Sequence, residues 1–317
     1  MEVVLLFPGQ GSQKPGMGKD LAAAFPAAAD VFRQADEALG EPLSTLCFEG
    51  PADTLTLTHN AQPALLAHGA AVWAVTRDAL GDAVRAVAGH SLGEFTAYHA
   101  AGALALPDAV KLVRLRGTLM YESGLARPGA MAAILGDTER TIDEICADAT
   151  ASPEGGLVVP ANYNSPGQVV VSGEVAGVER AMELAKQAGA RRAIRLPVSG
   201  AFHSPLMQTA WQAFGQALAN VPMQDPTVPV YANVTAEFTT EVDDARHLLL
   251  EQLTSPVRWT QLVEQIIHDI PGALFVEMGP GSVLAGLMKK IAPTAECMSC
   301  GTPADVEALL SRATRTA

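Results

Sequence analysis

The stretch "AGHSLGEF", residues 88–95, decides how the chain is read. Ser91 stands between Gly89 and Gly93, so the stretch carries the G-x-S-x-G pattern. The flanks give that pattern its meaning. Val84 to Ala88 is a short apolar run of strand type, and Gly93 to Leu106 is helix-forming. A serine on a sharp strand-to-helix turn is the setting of a nucleophile elbow. Glycine leaves room for the turn. The first N–H groups of the helix favour the negative charge that develops when a hydroxyl attacks a carbonyl. The competing reading makes Ser91 an ordinary N-cap.

Working outward, strands and helices alternate. Val3 to Phe7 reads as a buried strand closed by Pro8 and Gly9. Ala61 to Arg77 has helical length and spacing, and Asp108 to Ser123 is a helix separated from its predecessor at Pro107. Phe275 to Met278, before "GPG" at 279–281, is a late core strand. Such alternation predicts a parallel α/β sheet covered on both faces. After "ARPGA" at 126–130 the order changes to β-α-β-β-α-β. Strands are expected at Met131 to Leu135, Val158 to Asn162, Gln168 to Ser172 and Ala193 to Val198. Helices are expected at Thr141 to Ala149 and Val178 to Ala188. That order is ferredoxin-like. The expected fold class is therefore α/β: a large domain with a parallel sheet core and an inserted ferredoxin-like small subdomain. The boundaries are 1–127, 128–197 and 198–317, with the large domain resuming at "SGAFHS", Ser199 to Ser204.

Composition narrows the function classes. Hydrophobic residues make up 49% and charged residues 17% of 317, so a packed core is expected rather than disorder. The net charge of −13 argues against general nucleic-acid binding, which needs a positive surface. The start, "MEVVLLFPGQGSQ", lacks the basic leader and long apolar core of a signal peptide. No run of about 18 apolar residues predicts a membrane span. The four cysteines are too few for a disulfide framework in so long a chain. "CMSC", Cys297 to Cys300, is a lone CxxC and reads as two unrelated thiols rather than a metal or redox pair. No metal site is expected, and the setting is a reduced cytoplasm.

The base for Ser91 is not settled by spacing. Seven histidines are available: His59, His68, His90, His99, His203, His247 and His268. His90 adjoins Ser91, but neighbouring side chains diverge at such a turn. His203, in the loop-like "SGAFHSPLM", is well placed to present a side chain at a sheet edge. "FPGQGSQ", residues 7–13, imitates a phosphate loop without being one. A dinucleotide loop needs glycine where Lys14 stands, and Walker A needs lysine where Met17 stands. What remains is a loop at the end of a parallel strand carrying the amide Gln10, either an oxyanion donor or a solvated side chain.

Seven stretches in order resemble the malonyl-CoA:acyl-carrier-protein transacylase family. They are "FPGQGSQ" at 7–13, "QPALLA" at 62–67, "GHSLGE" at 89–94, "RLRG" at 114–117, "ANYNSPGQVVVSG" at 161–173, "GAFHS" at 200–204 and "SPVRW" at 255–259. The resemblance implies a hydrolase-like large domain, with Ser91 acylated by malonyl-CoA and discharged to the phosphopantetheine thiol of acyl carrier protein. It implies His203 as base, Gln10 and the Leu92 backbone N–H as oxyanion hole, and Gln252 as the residue whose carbonyl orients the histidine. Arg116 would hold the malonyl carboxylate, with Gln62, Asn162 and Phe202 in the substrate pocket. A Phe before the histidine accompanies malonyl specificity in related polyketide acyltransferases. No cofactor is implied, and the chain is expected to be a monomer without membrane or nucleic-acid partners.

The chemistry gives those residue types a reason. Two thiols that must use one site in turn require a covalent carrier. One histidine serves as base and then as acid. Malonyl differs from acetyl by a carboxylate, which the planar fork of arginine matches bidentately. Two rival activities share the motif: a serine esterase or thioesterase, which needs an acid such as Asp137, Asp143 or Asp148, and the transacylase subunit of a malonate decarboxylase. Carrier proteins are acidic, and so is this chain, so docking needs a local basic face. Arg180, Lys186, Arg191, Arg192 and Arg195, with Lys289 and Lys290, are its candidates.

Overall fold

The first strand, Val3–Phe7 (β1), is apolar at every position and wholly buried. Alternate side chains leave a strand on opposite faces, so both faces of its sheet must be covered. Val3, Leu5 and Phe7 join one hydrophobic cluster with the long helix Thr58–Leu80. Val4 and Leu6 join another with the helices Trp259–Asp269 and Val283–Ile291. The computed structural model describes residues 1–198 and 200–316, with side chains through residue 314. Ser199 and Ala317, which bound the predicted resumption and end of the large domain, lie outside the described residues.

Around β1 lie Val84–Gly89 (β2), and later in the chain Val230–Tyr231 (β7), Phe238–Thr239 (β8), Leu274–Met278 (β9) and Cys297–Cys300 (β10). The sheet order is β10-β9-β1-β2-β7-β8. All its pairings are parallel except β7 with β8. Cys297 and Cys300 therefore belong to an edge strand, and burial pushes both thiols up to about 12.

A second sheet is made of Gly129–Leu135 (β3), Val158–Ser165 (β4), Gln168–Glu174 (β5) and Arg192–Arg195 (β6). Its order is β4-β5-β3-β6 and its pairings are all antiparallel. The helices Ile142–Ala151 and Val175–Gln187 cover one face through Ile145, Cys146, Val178 and Ala181. Met131, Ala161 and Val170 of the other face pack into the main core. The small sheet thus shares a wall with the larger one.

The break between two helices differs from the sequence reading. The helix after Ser91 is Leu92–Ala100, and the next is Leu106–Ala126. The break lies at 101–105, where Gly102 takes φ 74°, and Pro107 sits in the first turn of the second helix. Proline is compatible with a helix start because no N–H is required there.

The glycines around Ser91 are fixed by close approach. A Cβ on Gly89 would lie 1.9 Å from the Gly93 carbonyl carbon, and one on Gly93 would lie 2.0 Å from Phe7 O. Neither obstacle is a flexible side-chain end. Gly286, exposed within Val283–Ile291, meets nothing within 4 Å. Gly93→Ala is therefore expected to cost about 3 kcal/mol or more, whereas Gly286→Ala should stabilise by up to about 1 kcal/mol. Denaturant midpoints check both. An unshifted midpoint for Gly93→Ala would contradict the packing described.

Candidate active site

The end of β2 and the start of the helix Leu92–Ala100 meet at Ser91. Its φ of 51° is a left-handed conformation that a non-glycine residue adopts at a cost. Asn233, just past β7, holds the turn. Its Oδ1 accepts from the Ser91 N–H at 2.7 Å, and its Nδ2 donates to Gly89 O at 2.7 Å. Leu92 opens the helix, where its N–H has no intrahelical acceptor.

Ser91 Oγ lies 2.8 Å from His203 Nε2, and His203 Nδ1 lies 2.8 Å from the Gln252 carbonyl oxygen. A carbonyl only accepts, so Nδ1 carries the proton and Nε2 is left as acceptor for the serine hydroxyl. His203 also has a positive φ, 55°. Ser204 closes the turn beneath it, with Oγ donating to Ala201 O at 2.6 Å and accepting from Leu206 N at 3.3 Å. Burial pulls the His203 pKa down to about 3, and the Arg116 cation adds to that effect. The imidazole is therefore neutral at neutral pH.

Arg116 comes from the helix Leu106–Ala126 and is 1% exposed. Its Nη1 donates to Gln62 Oε1 at 2.7 Å. Its Nη2 donates to Gln252 Oε1 at 2.7 Å and reaches Ser91 Oγ at 3.2 Å. These partners are neutral. Its carbon Cζ stacks 5.4 Å from the Phe95 ring centroid, and Nε has no partner among the described residues. Burial lowers its pKa to about 10, partly offset by the buried Glu94. A cation so placed is short of one anion.

A cavity of about 290 Å³ joins these groups. Ser91, Leu92, His203, Arg116, Gln10, Gln62, Asn162 and Phe202 all line it. Gln252 stands behind it, bonding both His203 and Arg116. Gln10 itself is exposed on its loop, with Oε1 accepting from Thr58 Oγ1 at 2.8 Å. Met120, Met131 and Leu196 supply apolar wall.

The other sequence candidates take different partners, although His90 also lines this cavity. His90 Nε2 pairs with Asn164 Oδ1 at 2.7 Å, and its ring packs on Trp259. His99 Nδ1 donates to the Leu104 carbonyl at 2.9 Å. Of the possible acids, Asp143 takes the Tyr163 hydroxyl and Asp148 pairs with Arg140, while Asp137 lines a different cavity. Among the described residues no group of His, Cys, Asp and Glu could hold a metal ion, and no helix is long and apolar enough to cross a membrane.

Sequence reading missed three polar residues here: Asn233, Thr58 and Glu94. Glu94 is fully buried, and burial raises its pKa to about 7. It accepts from Gln252 Nε2 at 2.7 Å and Asn233 N at 3.1 Å. Asn233 lies two residues beyond β7, a strand too short to read from sequence, so nothing local marked it.

Comparison with known proteins covers nearly the whole chain. The model of the acyl transferase domain family matches residues 4–310. The malonyl CoA-acyl carrier protein transacylase of Bacillus subtilis (strain 168) is 47% identical over 306 residues, covering 96% of this chain and 95% of that protein. That of Escherichia coli (strain K12) is 42% identical, covering 98% and 99%. The crystal structure of an acyl-carrier-protein-S-malonyltransferase from Bartonella henselae superposes with a TM-score of 0.94 at 44% identity, covering 99% of this chain and all (100%) of that one. A malonyl-transacylase solved in complex with its type II PKS acyl-carrier protein gives 0.93 at 41% identity, covering 98% and 100%. The chain belongs to the malonyl-CoA:acyl-carrier-protein transacylase family.

Proposed function

We propose that the protein moves a malonyl group from malonyl-CoA to the phosphopantetheine thiol of acyl carrier protein through a malonyl-Ser91 ester. The observation that carries this reading is Arg116: a buried guanidinium with neutral partners, 3.2 Å from the Ser91 hydroxyl oxygen. A carboxylate two bonds beyond a thioester carbonyl supplies the missing anion while the carbonyl rests on Ser91.

In the first half-reaction Ser91 Oγ attacks the thioester carbonyl as its proton passes to His203 Nε2. The Leu92 N–H and the Gln10 amide receive the oxyanion. The intermediate collapses, the carbon–sulfur bond breaks, and the CoA thiolate leaves with the proton from His203. In the second half the carrier thiol gives its proton to His203 and attacks the ester. The new thioester forms, and Ser91 regains the proton. Side chains and the two thiols balance the cycle without a cofactor. His203 faces a carbonyl rather than a carboxylate, which supports a Ser-His dyad over an esterase triad.

Parts 1–127 and 198–317 carry Ser91, Arg116, His203 and Gln252, and part 128–197 carries Asn162 and Met131. The proposed division assigns chemistry to the first two and a pocket wall to the third. A reducing cytoplasm suits an enzyme that trades on free thiols.

Removing Arg116 tests the reading. A charge-assisted pair contributes about 1.5–3 kcal/mol, equivalent to about 10–150-fold in rate. Arg116→Ala should lower the malonyl-to-acetyl ratio of acylation rates by at least about tenfold, while any loss of orientation at Gln10 and Gln252 slows both donors alike. Arg116→Lys should recover part of it, since an ammonium lacks the fork. Acylation rates with both donors decide the matter. An unchanged malonyl-to-acetyl ratio would mean that Arg116 does not read the carboxylate.

The carrier protein needs a basic landing. Arg180 and Arg195 are paired with Glu183 and Glu179, which weakens their claim. Lys290 donates to Gln168. Lys186, Arg191 and Arg192 are exposed, and β6 leads from Arg192 directly to Leu196 at the cavity. Changing Arg191 and Arg192 together to Glu should slow transfer to carrier protein and spare acylation by CoA, with the defect shrinking at high salt. Equal loss in both half-reactions would remove this face from consideration.

A further inference from the structure

Thr58 is the first residue of the helix Thr58–Leu80 and is 3% exposed. Its hydroxyl bridges two amides. It accepts from Gln62 Nε2 at 3.1 Å and donates to Gln10 Oε1 at 2.8 Å. The direction of this chain is forced from its buried end. A guanidinium can only donate, so Gln62 must turn Oε1 towards Arg116, 2.7 Å away. That leaves Gln62 Nε2 facing Thr58. Gln62 supplies the proton of that contact, so Thr58 keeps its own single proton for Gln10. With Oε1 occupied, the Gln10 amide has only its NH2 to offer the cavity it lines.

Thr58 is the first helical residue, one position past the N-cap Leu57. Its hydroxyl is turned to Gln10 and Gln62, and the helix has no side-chain cap bond from Leu57. The hydroxyl therefore joins two groups of the cavity rather than closing the helix end.

We propose that Thr58 is a positioning residue for acyl transfer: it holds the Gln10 amide with NH2 towards the developing oxyanion, in an orientation set by Arg116. The inference rests on Gln10 as an oxyanion donor. Gln10 is exposed on a loop, and an untethered amide there would sample several rotamers and both faces. Donors contribute to rate when they are aligned before the charge appears.

The test is single-turnover acylation of Ser91 by malonyl-CoA and by acetyl-CoA. Thr58→Val keeps the branched shape and deletes the hydroxyl, and Thr58→Ser restores it. Thr58→Val should slow acylation on the order of tenfold with both donors alike, because each develops the same oxyanion. The malonyl-to-acetyl ratio and the apparent affinity for malonyl-CoA should hold. Thr58→Ser should recover most of the rate. In a Gln10→Ala background, Thr58→Val should add nothing. Thr58→Ala gives the same comparison if the valine variant does not fold.

Failure separates cleanly. If Gln10→Ala alone leaves the rate unchanged, Gln10 is no donor and the reading beneath the proposal falls with it. If Gln10→Ala slows acylation but loss of the Thr58 hydroxyl does not, the proposal is overturned. The same follows if loss of the hydroxyl is equally costly with and without Gln10.

Discussion

A guanidinium held out of water organises this molecule's polar interior. Arg116 can only donate, and at 1% exposure its donors must be met largely by protein groups. Gln62 and Gln252 must both present carbonyl oxygens to it. Each amide then has its NH2 pointing away, one towards Thr58 and the other towards Glu94 and the Ser91 carbonyl. The donor directions of the catalytic cavity are thus propagated outward from one cation. Hydrogen bonds in such a network are strong inside a protein because the surrounding dielectric is low.

The same cation divides the electrostatics of the site. It depresses His203, already pulled down by burial, and it favours the charged form of Glu94, which burial opposes. His203 stays a neutral base beside a positive charge, and Glu94 is a buried carboxyl that faces amides rather than the histidine. Gln252 is the hinge of the arrangement. Its backbone fixes the His203 tautomer while its side chain joins Arg116 to Glu94. One residue thereby ties the orientation of His203 to that of Arg116.

Much of this was legible in sequence, for identifiable reasons. β1, β2 and β9 are apolar runs bounded by glycine or proline, and the helix signals around "GHSLGEF" are local. β4 and β5 were readable as two strands flanking the "NSPG" turn. The two-residue strands β7 and β8 are too short to show periodicity, and β10 hides in the half-buried "CMSC". The helix break at 101–105 was misplaced because Pro107 looks like a terminator when it is an initiator. Within the site, the residues named by motif line one cavity, except Gln252, which stands behind it bonded to His203 and Arg116. Thr58, Glu94 and Asn233 were missed because their contacts span 48 to 158 positions in the chain, and no local pattern encodes such pairs.

The central claim is that a covalent acyl group passes through Ser91. Intact mass after mixing with malonyl-CoA, with peptide mapping, addresses it most directly. The account predicts a gain of one malonyl group per chain, located on Ser91, discharged when phosphopantetheinylated acyl carrier protein is added, and absent from Ser91→Ala. Malonylation of Ser91→Ala to the extent of the wild type, or a malonyl group mapped to another residue, would contradict it.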